Sequence, residues 1–304
     1  MTNLFDRYYD DLSAGDVRAL ARSISLVENQ AAGYENFLES IKPRKEVRIT
    51  GITGPPGAGK STLTDALIGS YVAKGQKVAV VCVDPSSPFN LGALLGDRIR
   101  MSDWYNNDSV YIRSLATRGS MGGLHPGIIE ITELLRSSYF DQIIVETVGV
   151  GQSEVEITGL ADTTVVVLVP ESGDEIQTMK AGLMEIADVF VVNKADRPEA
   201  EIFVRNLHLM MAPSFKKGNH PPEIIKTIAS ENKGINELVK AIEDHQAISD
   251  NTEKRAWLLA ERAFHLLQLQ KMKSFDKAIM KDQILDQIIN NRFNLFGYVR
   301  SLSL

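Results

Sequence analysis

A single cysteine in 304 residues excludes any intrachain disulfide. That residue, Cys82, lies inside the apolar run Val78-Ala79-Val80-Val81-Cys82-Val83, so it reads as core rather than as a thiolate metal ligand. Basic residues are outnumbered by acidic ones, 33 to 39, and the formal net charge of −6 disfavours a nucleic-acid partner. No apolar run approaches the ~20 residues that a membrane span needs. Met1 to Arg7 has neither the apolar core of a secretion signal nor the acid-poor, Arg-rich character of a transit peptide, so a cytoplasmic location and no membrane partner are expected. The five histidines, at 125, 208, 220, 245 and 265, form no tight cluster, and surface or capping roles are expected for each. Internal repeats and low-complexity segments are also missing. What remains, 44% hydrophobic and 24% charged, is ordinary for a soluble globular protein with room for one full α/β domain plus helical extensions.

Against that background one run stands out. Gly54-Pro55-Pro56-Gly57-Ala58-Gly59-Lys60-Ser61-Thr62 fits the phosphate-loop pattern G-x-x-x-x-G-K-[ST] at every fixed position. Residues 47–53 before it alternate as a buried strand does, and residues 61–73 after it carry apolar groups at helical spacing. Glycines let successive backbone N–H groups turn toward one point, and the following helix N-terminus adds positive potential. Lys60 is placed to reach the terminal phosphates, and Ser61 to ligate Mg²⁺. A nucleoside triphosphate is the expected ligand.

The base is named about 130 residues later, where Val189-Phe190-Val191-Val192 ends in Asn193-Lys194-Ala195-Asp196. This is the guanine-reading pattern N-K-x-D at the C-terminal end of a strand. Asp196 would accept from guanine N1–H and the 2-amino group; adenine offers neither donor and would leave a carboxylate desolvated and unpaired. Charge-assisted bonds contribute roughly 1.5–3 kcal/mol each. Losing both discriminates by about 10⁴-fold. Asn193 is expected to brace the loop, with the Lys194 stem lying along the base.

Two acidic positions between these landmarks suit a metal shell. The run ending at Val83 closes on Asp84, and Phe140-Asp141-Gln142-Ile143-Ile144-Val145 closes on Glu146. Each places a carboxylate at a strand's C-terminal edge, where open α/β sheets bind ligands. Mg²⁺ takes octahedral oxygen ligands and retains waters, so Ser61, a phosphate oxygen and one or two carboxylates suffice. Asp84 and Glu146 are the candidates, with Asp97 a third.

Three regions follow from the pattern. Residues 1–45 read as a helical extension, with a helix start between Ser13 and Asp16 and apolar Val17, Leu20, Ile24 and Val27 after it. Residues 46–250 alternate strands and helices, with strands near 47–53, 78–83, 110–113, 141–146, 164–169, 189–193 and 224–228. That alternation predicts an α/β fold, a phosphate-loop NTPase with a mostly parallel sheet flanked by helices. Residues 251–304 return to helix, with Ile284, Leu285, Ile288 and Ile289 on one face. An amphipathic arm outside a complete core must bury its stripe against that core or a second subunit.

Taken in order, the phosphate loop, Asp84-Pro85-Ser86-Ser87, Leu95-Gly96-Asp97-Arg98-Ile99-Arg100-Met101, Glu146-Thr147-Val148-Gly149-Val150-Gly151-Gln152-Ser153-Glu154 and Asn193-Lys194-Ala195-Asp196 resemble the methylmalonyl-CoA mutase-associated GTPases of the MeaB type. Thr117-Arg118-Gly119, Gly173-Asp174-Glu175-Ile176-Gln177 and Lys180-Ala181-Gly182 extend the similarity over nearly the whole chain. The resemblance implies a G-protein chaperone for a cobalamin-dependent acyl-CoA mutase, coupling GTP binding and hydrolysis to adenosylcobalamin loading and to removal of damaged cofactor. It also implies a homodimer with helical extensions at both ends. Carried over by motif, Ser61, Asp84, Asp97 and Glu146 surround Mg²⁺, while Asn193, Lys194 and Asp196 bind guanine. The loop Thr227-Ile228-Ala229-Ser230, with Ala229 at its centre, offers its backbone to the guanine oxygen. Arg118, Gly149, Glu154, Asp174, Glu175, Gln177 and Lys180 fall in segments expected to act as switches.

There are departures from the family pattern. Asn90-Leu91-Gly92-Ala93 stands where relatives often have Gly-Gly-Ser, and Ile228-Ala229 replaces Ser-Ala, which removes a hydroxyl. Leu124-His125-Pro126-Gly127 is also unusual for the family and has no assigned role.

Phosphoryl transfer to water depends mainly on positioning and charge stabilisation. Lys60, Mg²⁺ and the loop amides supply the latter. Where Ras-like proteins place a water-orienting glutamine directly after the switch glycine, this chain has Val150, and Gln152 is the nearest glutamine. A slow, partner-stimulated GTPase is therefore expected, with Lys60 and Gln152 as catalytic candidates. Two other readings share the sheet and loop. A nickel-inserting GTPase needs soft or imidazole ligands, which one cysteine and dispersed histidines supply poorly; a non-catalytic accessory would use GTP only as a conformational ligand.

Overall fold

The computed structural model describes residues 12, 15–84, 101–117, 124–148, 154–172, 183–211 and 221–302. Asp97, Arg118, Gly149, Gln152, Asp174, Glu175, Gln177 and Lys180 lie outside the described residues, as do positions 90–93. The chain forms two compact units, Met1–Arg255 and Ala256–Leu304.

Seven parallel strands build the first unit: β1 (Arg48–Thr53), β2 (Val78–Asp84), β3 (Val110–Ala116), β4 (Gln142–Glu146), β5 (Thr163–Leu168), β6 (Val189–Val192) and β7 (Glu223–Lys226), in the order β3-β2-β4-β1-β5-β6-β7. Each falls where the hydrophobic alternation puts it, with ends displaced by at most three residues. β2, β4, β5 and β6 are buried throughout, so their near-continuous Val and Ile runs follow from helices covering both faces. β1 sits centrally between β4 and β5, with Ile52 opposite Glu146 on one side and Val165 on the other. Strand order diverges from this centre, and the C-terminal edge there is where such sheets hold ligands.

The helices on one face are α3 (Lys60–Ala73), which leaves the phosphate loop, and α8 (Ile235–Ile248). Leu63, Leu67, Ile68 and Tyr71 of α3 are buried with Ile52, Val80, Ile144 and Val165 of the sheet and with Leu238 and Ile242 of α8. A helix covered from both sides needs apolar groups all round. That is why α3 buries eight of its side chains, Lys60, Ser61 and Thr64 included.

At the N-terminus, α1 (Val17–Glu28) starts at Asp16, whose carboxylate accepts from Arg18 N (2.7 Å) and Ala19 N (3.1 Å). These bonds, the one from Ala19 first, hold its pKa below the usual carboxylate value. Leu20, Ile24 and Val27 are buried, whereas Val17 stays exposed. α1 packs on α4 (Ile128–Arg136), and Glu28 pairs with Arg113 of β3 at 2.6 Å. α2 (Tyr34–Ser40) follows and buries Phe37.

Completing the first unit are α5 (Glu154–Leu160), a single helical turn α6 (Leu183–Ile186) and α7 (Ala200–Met211). α9 (Thr252–Met272) spans the division between the units, and the second continues with α10 (Lys277–Ile289) and α11 (Leu295–Ser301). In that unit Tyr298 is buried and donates to Gln283 Oε1 at 2.8 Å. Leu285, Ile288 and Ile289, three of the four residues read as a stripe, are exposed. Among the described residues no helix is long and apolar enough to cross a membrane.

Candidate functional site

The phosphate loop begins at Gly54 with φ 143°, where a Cβ would meet Val167 O of β5 at 2.1 Å. Only glycine fits there. The loop ends at Gly59, φ 87°, which caps α3 without any side-chain hydrogen bond; a Cβ at this position would meet Asn193 Nδ2 at 2.4 Å. A helix that starts on glycine keeps its first-turn amides for an anion. Lys60, 9% exposed, donates from Nζ to Gly54 O (2.9 Å) and Pro55 O (3.1 Å), so its ammonium lies over the loop. Ala58 is buried, while Pro56 and Gly57 are exposed.

Asn193 ties three segments together. It leaves β6 buried, donates from Nδ2 to Ala58 O (2.9 Å), and accepts at Oδ1 from Thr227 Oγ1 (3.1 Å) and Ala229 N (3.2 Å). The bracing expected of it is therefore made to the phosphate loop and to the loop after β7 at once. Ala195 N donates to Thr227 O at 3.0 Å, which adds a backbone bond between the same two segments. Lys194 takes a left-handed backbone, φ 56°, and its Nζ donates to Gly57 O at 2.9 Å. Its stem thus bridges from the base motif to the phosphate loop, a tether that spacing alone does not disclose.

Between these segments opens a cavity of about 260 Å³ lined by Gly59, Thr62, Asn193, Lys194, Asp196, Arg197, Ile228, Ala229 and Ser230. Asp196 is exposed on its wall. Nearby, Lys233 pairs with Glu231 at 2.6 Å, which with the more distant Asp196 raises the ammonium's pKa. Asn193→Ala would orphan Ala58 O, the Thr227 hydroxyl and Ala229 N–H. With roughly 0.5–1.5 kcal/mol per bond, we expect GDP and GTP affinities to fall together by about 10- to 100-fold, read by equilibrium binding of a fluorescent guanine nucleotide.

On the other side of the loop, Asp84 and Glu146 end the paired strands β2 and β4, 4% and 2% exposed. Ser61 Oγ donates to Glu146 Oε1 at 2.7 Å, and Thr64 Oγ1 donates to Glu146 Oε2 at 2.8 Å. Thr147, the next residue, donates from Oγ1 to Thr53 Oγ1 (2.8 Å) and from its amide to Ile52 O (2.9 Å), locking the ends of β4 and β1. Thr53, Thr64 and Thr147 were not singled out by the motifs. Threonines inside buried, otherwise apolar patterns are the available signal.

Of the remaining predicted residues, Glu154 opens α5. Two histidines make defined bonds within the first unit. His125 is buried and accepts at Nδ1 from Gly127 N (2.9 Å), ordering the turn before α4. His245 bonds Thr163 Oγ1 through Nδ1 (2.8 Å), with Nε2 3.4 Å from Asp188.

A family model described as methylmalonyl Co-A mutase-associated GTPase MeaB matches residues 20–284. The chain belongs to this family. A putative GTPase of Pyrococcus horikoshii is 47% identical over 255 residues, covering 83% of this chain and 80% of that protein. The fused isobutyryl-CoA mutase of Geobacillus kaustophilus is 37% identical over 249 residues, covering 77% of this chain and 23% of that protein. Among solved structures, a LAO/AO transport system kinase aligns with a TM-score of 0.69 at 25% identity, covering 100% of this chain and 98% of that one. Family membership and the phosphate-loop fold make this a guanine-nucleotide-binding protein.

Proposed function

We propose that this protein is a GTP-hydrolysing chaperone of a cobalamin-dependent acyl-CoA mutase, assisting cofactor loading and protection. The observation that carries the mutase partner is the fused relative: a protein named isobutyryl-CoA mutase contains, within 23% of its length, a stretch 37% identical to this chain. Chains that act on each other are the ones that tolerate covalent fusion, because the linkage raises their effective concentration.

In this reading Asp196 recognises the guanine edge in the 260 Å³ cavity, with Ala229 N held beside it by Asn193. Gly54 to Thr62 cradle the phosphates, and Lys60 neutralises charge on them. Asp84 and Glu146 at adjoining strand ends and Ser61 in the first turn of α3 supply hard oxygen donors, which fit Mg²⁺ and not a soft metal. Bound there, Mg²⁺ supplies charge neutralisation for the leaving phosphate. The Ser61 hydroxyl donates its hydrogen to Glu146, and a hydroxyl oxygen in that geometry can also ligate a cation. Asp97 is assigned to the same shell, Gln152 to the attacking water, and Arg118, Gly149, Glu154, Asp174, Glu175, Gln177 and Lys180 to segments reporting nucleotide state. Dimerisation through the helices beyond residue 251 would cover the exposed Leu285, Ile288 and Ile289. The setting is cytoplasmic.

The test is GTP turnover by the purified protein alone, by a Lys60→Ala variant, and with a cognate acyl-CoA mutase present. Removing the Lys60 ammonium is expected to lower turnover by about 10²-fold or more. The mutase is expected to raise turnover of the unaltered protein. Turnover equal to that of the Lys60→Ala variant would refute hydrolysis, and indifference to the mutase would refute the partnership.

A further inference from the structure

Building on the Mg²⁺ site proposed above, we infer that Thr64 is a positioning residue that sets how Glu146 presents its carboxylate to the metal. A glutamate has one more rotatable bond than an aspartate, so holding its carboxylate at a strand end requires an added restraint. Here the restraint is visible: Oε2 accepts from Thr64 Oγ1 at 2.8 Å while Oε1 accepts from Ser61 Oγ at 2.7 Å. Ser61 and Thr64 stand three residues apart on α3, on one face of the helix. Together they form a two-pronged donor fork around a single carboxylate. Thr64 is wholly buried, and Glu146 is 2% exposed, so water is poorly placed to replace either prong.

A threonine inside a helix normally returns its hydroxyl to a carbonyl one turn back. Thr132 of α4, also wholly buried, does this, bonding Ile128 O and Ile129 O at 2.9 Å. Thr64 does not; its hydroxyl reaches across to β4, over 82 positions of sequence. A β-branched residue is also a weaker helix former than the leucine or alanine that fill neighbouring positions. The cross-element bond is what distinguishes Thr64 from a residue that merely fills space. Partners behind a metal-side carboxylate typically govern metal affinity by 10- to 100-fold.

The experiment measures Mg²⁺-dependent retention of N-methylanthraniloyl-GDP by the full chain, titrating Mg²⁺ and also measuring release in EDTA. Thr64→Val keeps the shape and removes the donor; Thr64→Ala removes the donor with less risk of strain; Thr64→Ser keeps the donor. The Mg²⁺ half-point is expected to rise about tenfold or more in the first two variants and to stay within about threefold of the parent in Thr64→Ser. Release in EDTA is expected to be unchanged in all three. A half-point unmoved in both hydroxyl-free variants, or an equal acceleration with and without Mg²⁺, would overturn the positioning role and leave a packing role. If the parent itself showed no Mg²⁺ dependence, the metal site at Ser61 and Glu146 would fall, and this role with it.

Discussion

Asp196→Asn is expected to cost about 10³-fold in GTP affinity and to give a site that prefers xanthosine triphosphate. The carboxylate on the cavity wall offers two acceptors, matched to guanine's N1–H and 2-amino group. An asparagine amide offers one acceptor and one donor. Against guanine, its NH₂ meets the 2-amino group, donor against donor, and one charge-assisted bond is lost outright. Against xanthine, which carries an oxygen at C2, the same NH₂ finds an acceptor while the amide oxygen still takes N1–H. The wall around this position is held by Asn193, Lys194 and backbone bonds that do not involve the Asp196 side chain, so the cavity should survive the change. Competition of GTP, XTP and ATP against a fluorescent guanine nucleotide measures the switch. If the variant kept its GTP preference, or if ATP already competed equally in the parent, Asp196 would not be reading the base.

The motifs carrying that prediction were legible because each is local. Gly54 to Thr62 and Asn193 to Asp196 are short runs whose function depends on backbone direction at a strand end, and strand ends show in the hydrophobic pattern. What spacing could not show is which segments those runs touch. Asn193 Nδ2 meets Ala58 O across 135 positions, and Lys194 Nζ meets Gly57 O across 137. Nothing periodic connects such pairs; the strand order that brings β6 and β1 to one edge does. The burial of His125 was not legible either. An isolated histidine carries no periodic signal, and its burial follows from the turn it orders before α4. Val17 fits the helical spacing of Leu20, Ile24 and Val27 yet stays exposed in the first turn of α1, so spacing alone does not tell which periodic position is covered. Threonine is the hardest residue to read from sequence. It suits strands, caps and buried networks alike, and Thr64 and Thr147 declare themselves only through the partners that the fold supplies.

The largest stability effect is expected far from the nucleotide, at Asp162, just before β5. Its Oδ2 accepts from Ile49 N (2.7 Å) and from Arg136 Nη2 (2.6 Å), and Arg48 lies 3.7 Å from Oδ1. Arg136 is 5% exposed, and burial, against the pull of Asp162, drives its pKa below the usual guanidinium value. Asp162→Ala would leave that cation and the Ile49 amide inside without their acceptor. Breaking a buried pair from one side costs about 3–5 kcal/mol, whereas replacing both partners by apolar groups is often neutral. For a unit of this size each kcal/mol moves Tm by roughly 2–4 °C, so a fall of about 6–20 °C is expected. Asp162→Leu combined with Arg136→Met should recover much of it, a non-additivity that a lost surface contact would not produce. Because Asp162 faces the N-terminal edge of β1 and the phosphate loop leaves the C-terminal edge, GDP should raise the Tm of the variant by about the same increment as that of the parent. Losing that increment would mean that the strand transmits strain along its whole length, and the stability network and the binding loop could no longer be treated as separate.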